Sequence, residues 1–296
     1  SPGNTILDSP VSFRNQWGNS YSPVNYDQKF HGPVSIRTAL GSSYNIPAVK
    51  MLATVGVDKM IQTAKDLGIT TFNDMNRFGL SLTLGGGEVR MIEMMGVYGS
   101  FADSGVRHKP TPILKVTDSN GNTLDEYKDS GQRVLQDEIA YLITNILSDN
   151  NARTPAFGPN SKLNISGYQV AVKTGTSDNK RDNWIFGYSP DFIVGVWVGN
   201  PDNSPMNQAL TSGVTGAAPA WNRIMRGILP TRQASQFKRP AGITEGIIDG
   251  RKDFVAAGIL PKALVRISKD SEKTTFFDAF SSYATPSAVT RLFPNQ

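Results

Sequence analysis

Residues 168–176 read Tyr-Gln-Val-Ala-Val-Lys-Thr-Gly-Thr. The first five are strand-like, because two β-branched valines lie in a mostly apolar run. Lys173 then supplies a cation, and Thr174 and Thr176 supply hydroxyl groups on either side of Gly175. A glycine lets a ligand lie against the backbone, since it has no side chain to block the approach. The pattern therefore predicts a strand edge that binds a carboxylate and a carbonyl together.

A second polar element lies upstream, at Ser43-Tyr-Asn45. Ser35 is positioned to cap one helix, and Pro47 is positioned to begin the next. Ser43 and Asn45 fall at the junction of these two predicted helices, where both side chains can point into one cleft. Ser-x-Asn and Lys-Thr-Gly elements occur together in enzymes that use a serine nucleophile.

The nucleophile element of that set, Ser-x-x-Lys, does not precede Ser43 in this sequence. Two later matches to the pattern are Ser177-Asp-Asn-Lys180 and Ser235-Gln-Phe-Lys238. Both follow the Lys-Thr-Gly element, and a pattern with only two fixed positions recurs by chance, so we reject them. We expect the nucleophile and its lysine base to lie upstream of Ser1, and we interpret the chain as an internal fragment.

Composition excludes several classes of function. The net charge of +5 comes from 30 basic and 25 acidic residues, and the basic residues are scattered, so no nucleic-acid-binding stripe is predicted. The absence of cysteine excludes disulfides and thiolate chemistry.

His31 and His108 lack the motif context of a triad or metal site, and we interpret both as loop or surface residues. We expect no metal or other cofactor. The longest apolar run, residues 192–198, is too short to cross a bilayer.

Hydrophobic periodicity and turn residues divide the chain into elements. Residues 1–34 are rich in Pro, Gly, Asn and Ser and are interpreted as an extended surface segment. Helices are predicted at 36–40, 48–52, 58–67, 88–103, 135–148 and 217–229. Strands are predicted at 110–125, with a turn at Asn120-Gly121, and at 167–174, 182–188 and 192–199. The last three are expected to form an antiparallel meander, because short polar turns separate them.

Several separated blocks in the first 230 residues occur in a fixed order. They are Pro23-Val-Asn-Tyr-Asp27, Gly32-Pro-Val-Ser-Ile-Arg37, Ser43-Tyr-Asn-Ile-Pro-Ala-Val49, Leu82-Thr-Leu-Gly-Gly86, Lys173-Thr-Gly-Thr176, Gly187-Tyr-Ser-Pro190, Gly195-Val-Trp-Val-Gly-Asn200 and Thr215-Gly-Ala-Ala-Pro219. Together they resemble the D,D-transpeptidase domain of class A, bifunctional penicillin-binding proteins. The last blocks are similar to the subgroup called penicillin-binding protein 1C.

The resemblance implies an α+β fold shared with serine β-lactamases. In that fold a central antiparallel sheet packs against a helical lobe, and the site lies in the cleft between them. The resemblance also implies that this copy is truncated at its N-terminus, without the first strands and the nucleophile helix. We predict a transpeptidase domain at residues 1–232 and a C-terminal extension of open role at 233–296.

The implied reaction is peptidoglycan cross-linking through a serine acyl-enzyme. The resemblance gives Lys173 the role of holding a positive potential in the cleft and bridging toward Ser43. It gives Ser43 the role of passing a proton to the departing amine, and Asn45 that of hydrogen-bonding the bound peptide.

The same resemblance makes the end of the strand a substrate-binding element. Thr174 and Thr176 are predicted to offer their hydroxyls to the terminal carboxylate, and Gly175 to leave room for it. The amide of Thr176 is predicted to form half of an oxyanion hole.

The implied partners are peptidoglycan stem peptides ending in D-Ala-D-Ala, β-lactams and other cell-wall synthesis proteins. The implied location is the extracytoplasmic face of the bacterial membrane. The parent is expected to carry its membrane anchor and a glycosyltransferase domain upstream. We expect this chain alone to be inactive, because its nucleophile is missing.

Two alternatives remain open. A non-catalytic peptide-binding or scaffold domain of the same fold explains the missing nucleophile, but not the joint presence of Ser43, Lys173 and the hydroxyls. A serine β-lactamase is disfavoured, because Tyr44 stands where one class has Asp and no deacylating carboxylate is identified.

Overall fold

The computed structural model describes residues 1–14, 20–207, 212, 214–233 and 235–258. The α-helices in this part of the chain are α1 (Ile36–Gly41), α2 (Asn45–Val55), α3 (Val57–Asp66), α4 (Met91–Ala102), α5 (Asp137–Ser148), α6 (Asn150–Phe157) and α7 (Ala217–Ile228). Short 3-10 turns lie at Met75–Arg77, Leu80–Leu84, Asp178–Lys180 and Leu229–Thr231.

The strands in the described residues form one three-stranded sheet and several two-stranded pairs. They are β1 (Thr5–Asp8), β2 (Phe13–Arg14), β3 (Ser20–Tyr21), β4 (Gly32–Ser35), β5 (Val106–Arg107), β6 (Lys115–Thr117), β7 (Thr123–Glu126), β8 (Gln132–Arg133), β9 (Ala171–Thr176), β10 (Asp182–Tyr188), β11 (Ile193–Gly199), β12 (Ile243–Ile248) and β13 (Arg251–Ala256).

The central sheet has the order β11-β10-β9 and is antiparallel throughout, which confirms the predicted meander. Strand alternation sends successive side chains to opposite faces. On one face, Val172 and Ile185 pack with Trp221 of α7. On the other face, Ala171 and Tyr188 pack with residues of α4 and α5. The sheet is therefore covered by helices on both sides.

The helical lobe is built by α2, α3 and α4 around one apolar cluster. Leu52, Ile61, Leu82 and Val97 are buried in it. The amphipathic helix α5 lies between this lobe and the sheet, where Thr144 Oγ1 and the Tyr188 hydroxyl form a hydrogen bond of 2.9 Å. Helix and sheet therefore meet through a buried polar contact as well as through apolar packing.

The prediction that residues 1–34 are a surface segment is wrong in part. β1 pairs with β4, and Ile6, Asp8 and Asn25 are buried. The two polar side chains are tolerated inside because Asn25 Nδ2 donates to both carboxylate oxygens of Asp8. The Pro- and Gly-rich composition indicated loops correctly, but it did not show the burial of a strand of four residues.

Residues 243–256 form a hairpin that packs beside the N-terminus. Ile243 and Ala256 form an apolar cluster with Leu142 of α5. Arg37 Nε of α1 donates to Asp253 Oδ2 at 2.8 Å. The hairpin thus contacts both α1 and α5. The domain boundary at residue 232 stays a prediction. Within the described residues, no helix combines the length and apolar character that a membrane span requires.

Candidate active site

Lys173 and Ser43 meet at the junction of the sheet and the helical lobe. Lys173 Nζ donates to Ser43 Oγ at 2.6 Å, although the two residues are 130 positions apart in the sequence. It also donates to the Thr174 carbonyl at 2.8 Å. Both acceptors are neutral. Lys173 is paired with no carboxylate in the described residues, and desolvation of the ammonium lowers the pKa of Lys173 to about 8. The site therefore holds a cation whose charge is not neutralised.

Local geometry places the Ser43 hydroxyl at this point. Helix α1 begins after Ser35, whose side chain accepts from the Thr38 amide, and it ends at Gly41. Ser43 has a positive φ of 59°, which is uncommon for a residue other than glycine. This left-handed residue ends α1 and turns the chain into α2, so that Ser43 Oγ faces the end of β9.

Asn45 is the first residue of α2, two residues before the start predicted from Pro47. Its backbone amide donates to Asn25 Oδ1 at 2.9 Å, and its Nδ2 donates to the Val24 carbonyl at 2.8 Å. Its Oδ1 has no hydrogen-bond partner among the described residues. The structure therefore places Asn45 beside Val24, whereas its role in binding a peptide stays a prediction.

Residues 174–176 occupy the last half of β9, at the edge of the central sheet. Gly175 pairs with Trp184, on the same face as Lys173. Thr174 and Thr176 lie on the opposite face by strand alternation, and Thr176 Oγ1 accepts from Asn183 Nδ2 at 3.4 Å. The structure thus brings Lys173 and Gly175 to one face, whereas the carboxylate-binding role of the two hydroxyls stays a prediction.

The sequence analysis missed a group of residues behind the Ser43 turn. The ring of His31 stacks on the ring of Tyr44, with centroids 3.9 Å apart. Its Nδ1 contacts Asp8 Oδ2 at 2.6 Å, and its Nε2 contacts Asp27 Oδ2 at 3.1 Å. His31 lies in a loop, as predicted, and its ring is three-quarters buried. The sequence block Pro23–Asp27 did indicate that this segment matters. It could not show that the segment contacts His31.

The serine of each rejected Ser-x-x-Lys match forms a hydrogen bond with an aspartate. Ser177 Oγ donates to Asp182 Oδ2 at 2.8 Å. Ser235 Oγ donates to Asp191 Oδ2. His108, the other histidine, is partly exposed and lies between Asp103 and Asp129. In the part of the chain that the structure describes, no group of three His, Asp or Glu side chains could hold a metal ion.

Comparisons with known proteins agree with this architecture. The model of the penicillin binding protein transpeptidase domain matches residues 2–226. The chain is 32% identical over 238 residues to penicillin-binding protein 2D of Bacillus subtilis, covering 78% of this chain and 33% of that protein. The curated relatives that it matches are about three times as long as the part that it spans.

Two solved structures share the fold. Penicillin-binding protein 1A of Haemophilus influenzae superposes with a TM-score of 0.75 at 22% identity, covering 88% of this chain and 46% of that chain. The PonA1 protein of Mycobacterium tuberculosis, solved in complex with penicillin V, superposes with a TM-score of 0.66 at 23% identity, covering 81% and 67%.

These matches confirm the predicted α+β fold with an antiparallel sheet and a helical lobe, and they confirm the predicted class A resemblance. The finer assignment to the penicillin-binding protein 1C subgroup stays a prediction. The family model covers three-quarters of the sequence, including Ser43 and Lys173. The chain therefore belongs to the family of penicillin-binding protein transpeptidase domains.

Proposed function

We propose that this chain supplies the substrate-binding and proton-transfer side of a D,D-transpeptidase site that cross-links peptidoglycan stem peptides. The observation that carries the proposal is the hydrogen bond of 2.6 Å from Lys173 Nζ to Ser43 Oγ. Ser43 and Lys173 belong to the two elements that accompany a serine nucleophile in this family. The nucleophile itself comes from a Ser-x-x-Lys element outside these 296 residues, so the chain alone forms no acyl-enzyme.

The first half-reaction is an acyl transfer to that serine. The serine gives its hydroxyl proton to the lysine of Ser-x-x-Lys as its oxygen attacks the carbonyl carbon of the penultimate D-Ala, and the bond to the last D-Ala breaks. The departing nitrogen needs a proton. Ser43 gives it the hydroxyl proton and takes one from the Lys173 ammonium, whose lowered pKa of about 8 eases the transfer at neutral pH. In the second half-reaction, the amine of a neighbouring stem peptide attacks the acyl carbon and passes its proton through Ser43 back to Lys173, and the serine leaves with the proton held by the lysine of Ser-x-x-Lys.

The end of β9 binds and polarises the substrate in this proposal. The positive charge of Lys173 attracts the terminal carboxylate, because no protein carboxylate in the described residues neutralises it. Gly175 leaves space on the same face, since a Cβ there would meet only Trp184 Cβ, at 3.6 Å. Thr174 and Thr176 are proposed to donate hydroxyls at the strand edge, and the Thr176 amide is proposed as one oxyanion donor. Asn45 binds the peptide backbone through its remaining amide atoms.

The wider biological setting follows from the family. The proposed ligands are D-Ala-D-Ala stem peptides and β-lactams, and the relative solved with penicillin V supports the second. The proposed location is the extracytoplasmic face of the bacterial membrane, in a parent protein that also carries an anchor and a glycosyltransferase domain. Other cell-wall synthesis proteins are proposed partners of that parent.

Labelling with a fluorescent penicillin tests the proposal. The protein to use joins this chain to the segment that carries Ser-x-x-Lys. We expect covalent labelling, and we expect Lys173→Met to slow it by about 10²- to 10⁴-fold, the usual contribution of a positioned proton-transfer group. Lys65→Met is the matched control, because Lys65 is an exposed lysine of α3. An unlabelled parent would contradict the proposal and favour a non-catalytic peptide-binding domain. Equal labelling rates for Lys173→Met and Lys65→Met would contradict the proposed proton-transfer role of Lys173.

A further inference from the structure

We propose that Asn25 and Asp8 are positioning residues, which hold the Ser43–Asn45 turn in the conformation that meets Lys173. The structural part of this proposal depends only on contacts within the chain. Its consequence for the reaction rate rests on the proposed transpeptidase function.

Helix α2 lacks a cap of its own. Tyr44 occupies the N-cap position and its side chain makes no capping hydrogen bond. The first amides of a helix have no acceptor within the helix, so they need one from elsewhere. Asn25 Oδ1 accepts from the amides of Asn45 at 2.9 Å and Ile46 at 3.2 Å. The cap therefore comes from a residue twenty positions upstream.

The orientation of the Asn25 amide is fixed by its other contacts. Asn25 Nδ2 donates to Asp8 Oδ1 at 3.0 Å, to Asp8 Oδ2 at 2.7 Å and to the Lys29 carbonyl at 2.8 Å. All these partners are acceptors, whereas Oδ1 faces two backbone donors. If the amide were flipped, its oxygen would face the acceptors and its NH₂ group would face the two backbone donors. Asn25 and Asp8 are almost fully buried, so water does not offer an alternative.

Asp8 also reaches Tyr44, the middle residue of the turn, through His31. Asp8 Oδ2 accepts from the His31 amide at 3.1 Å and contacts His31 Nδ1 at 2.6 Å. The His31 ring is stacked on the Tyr44 ring with an interplanar angle of 10°. One buried carboxylate therefore holds both the cap of α2 and the ring that covers Tyr44.

The turn needs such support because its own backbone is strained. Ser43 has a φ of 59°, and residues in this region persist only when their surroundings hold them there. The bond of 2.6 Å between Lys173 Nζ and Ser43 Oγ depends on that conformation. Displacement of a reacting group by about 1 Å can cost roughly a hundredfold in rate. Loosening of the turn should therefore affect the rate of reaction more than the amount of folded protein.

Residue-resolved hydrogen exchange on the chain tests the structural part. Asn25→Ala should speed exchange of the Asn45 and Ile46 amides by roughly fivefold or more, the effect of losing a typical cap. Asn222→Ala is the control, since it removes a buried amide that donates to the Lys162 carbonyl, far from the turn. It should leave exchange at the two amides unchanged. Equal exchange in the wild-type chain and Asn25→Ala would overturn the proposal.

Exchanging the amide of Asn25 with the carboxylate of Asp8 distinguishes positioning of the turn from a general effect on protein stability. Asn25→Asp keeps an acceptor for the cap but places a second carboxylate against Asp8. The double variant Asp8→Asn/Asn25→Asp restores one amide donor opposite one carboxylate. We expect the exchange rates at Asn45 and Ile46 to rise in the single variant and to return most of the way in the double variant. Failure of the double variant to recover, with the fold intact, would also overturn the proposal.

Penicillin labelling of the longer protein tests the consequence for the rate. Asn25→Asp should lower the labelling rate constant by roughly 10- to 100-fold, while the fraction of protein that is finally labelled stays the same. A merely structural role would lower the labelled fraction and leave the rate constant unchanged. If the wild-type parent is not labelled, the proposed function fails, whereas the hydrogen-exchange result still decides whether Asn25 and Asp8 position the turn.

Discussion

The ammonium of Lys173, on a partly buried side chain, is held by a hydroxyl and a backbone carbonyl. Burial of a charged group favours its neutral form, and this lowers the pKa of Lys173 to about 8. At pH 7 the side chain is still mainly protonated and can donate to Ser43. A modest change in its surroundings is enough to release the proton, which is the property that a proton-transfer group needs.

This pKa predicts a pH dependence of stability. Below about pH 8 both folded and unfolded chains hold the proton, and the full desolvation cost opposes folding. Between about pH 8 and 10.5 the unfolded chain still holds the proton and the folded chain does not, so the contribution of Lys173 to stability rises with pH. Urea unfolding at several pH values should show this rise in the wild-type chain, relative to Lys173→Met.

The control for that experiment is again Lys65→Met, which should keep the pH dependence of the wild-type chain because Lys65 is exposed. An NMR titration of the lysine side chains gives a direct check, because the signal of Lys173 should change near pH 8 and be missing from the Lys173→Met spectrum. If the stability difference between wild type and Lys173→Met stays flat from pH 7.5 to 10.5, the burial argument is wrong.

Two glycines on neighbouring strands of the central sheet serve different purposes. On β10, Gly187 faces α7, and a Cβ there would overlap the ring of Trp221. On β9, Gly175 faces the site, and a Cβ there would make only an ordinary contact with Trp184. The first glycine is required for packing of the sheet against a helix, and the proposed role of the second is to leave space for a ligand.

We therefore predict opposite results for two identical substitutions. Gly187→Ala should lower the free energy of unfolding by about 1–3 kcal/mol or more, since it overpacks a buried contact. Gly175→Ala should leave that free energy within about 1 kcal/mol of wild type, while slowing penicillin labelling of the longer protein. Urea unfolding of the two variants makes the comparison. A marked loss of stability in Gly175→Ala would show that this position is structural.

The elements that the sequence predicted best are those with a local signal. The meander of β9, β10 and β11 follows from apolar runs separated by short polar turns, and α7 ends one residue before its predicted limit. The start of α2 was missed because its cap, Asn25, lies twenty residues away. The pairing of β1 with β4 was missed for the same physical reason, since a strand of four residues is recognised by its partner more than by its own pattern.

The candidate site shows the same division. The motifs identified Lys173 and Ser43, and local rules placed Ser43 between two helices. The distance between them could not be predicted from residue patterns, because it depends on how the sheet packs against the helical lobe. Because side chains alternate between the two faces of a strand, the sequence could have placed Thr174 and Thr176 on the face opposite Lys173. The motif instead favoured treating residues 173–176 as one group.

Across the whole molecule, the two ends of the described chain are joined. The Ser1 hydroxyl donates to the Phe254 carbonyl, and the Thr5 amide donates to Asp249 Oδ2. Arg37, at the start of α1, contacts Asp253 of β13 and Asp149, the N-cap of α6. Helix α1 ends at the turn that carries Ser43, so the hairpin of β12 and β13 supports the same helix that presents the site residue.

This arrangement predicts that the hairpin stabilises the domain, although the predicted domain boundary is at residue 232. We compare a chain that ends at residue 258 with one that ends at residue 232. The shorter chain should unfold more easily by about 2–3 kcal/mol or more, the size of a charge-assisted hydrogen bond, because Arg37 loses Asp253 and keeps only Asp149 and Asn145. Exposure of Tyr141 and Leu142 adds to the loss, since Ile243, Phe254 and Ala256 cover them.

Urea midpoints of the two chains provide the measurement, and Asp253→Asn in the longer chain isolates the ion pair from the apolar contacts. The longer chain is the matched reference, because it keeps every described element and lacks only residues 259–296. The midpoint of Asp253→Asn should fall between those of the chains that end at residues 232 and 258. Equal midpoints for the chains ending at 232 and 258 would show that the contacts of the hairpin with Arg37 and α5 contribute little to folding. The hairpin would then be an extension of the domain, as the boundary predicted at residue 232 implies.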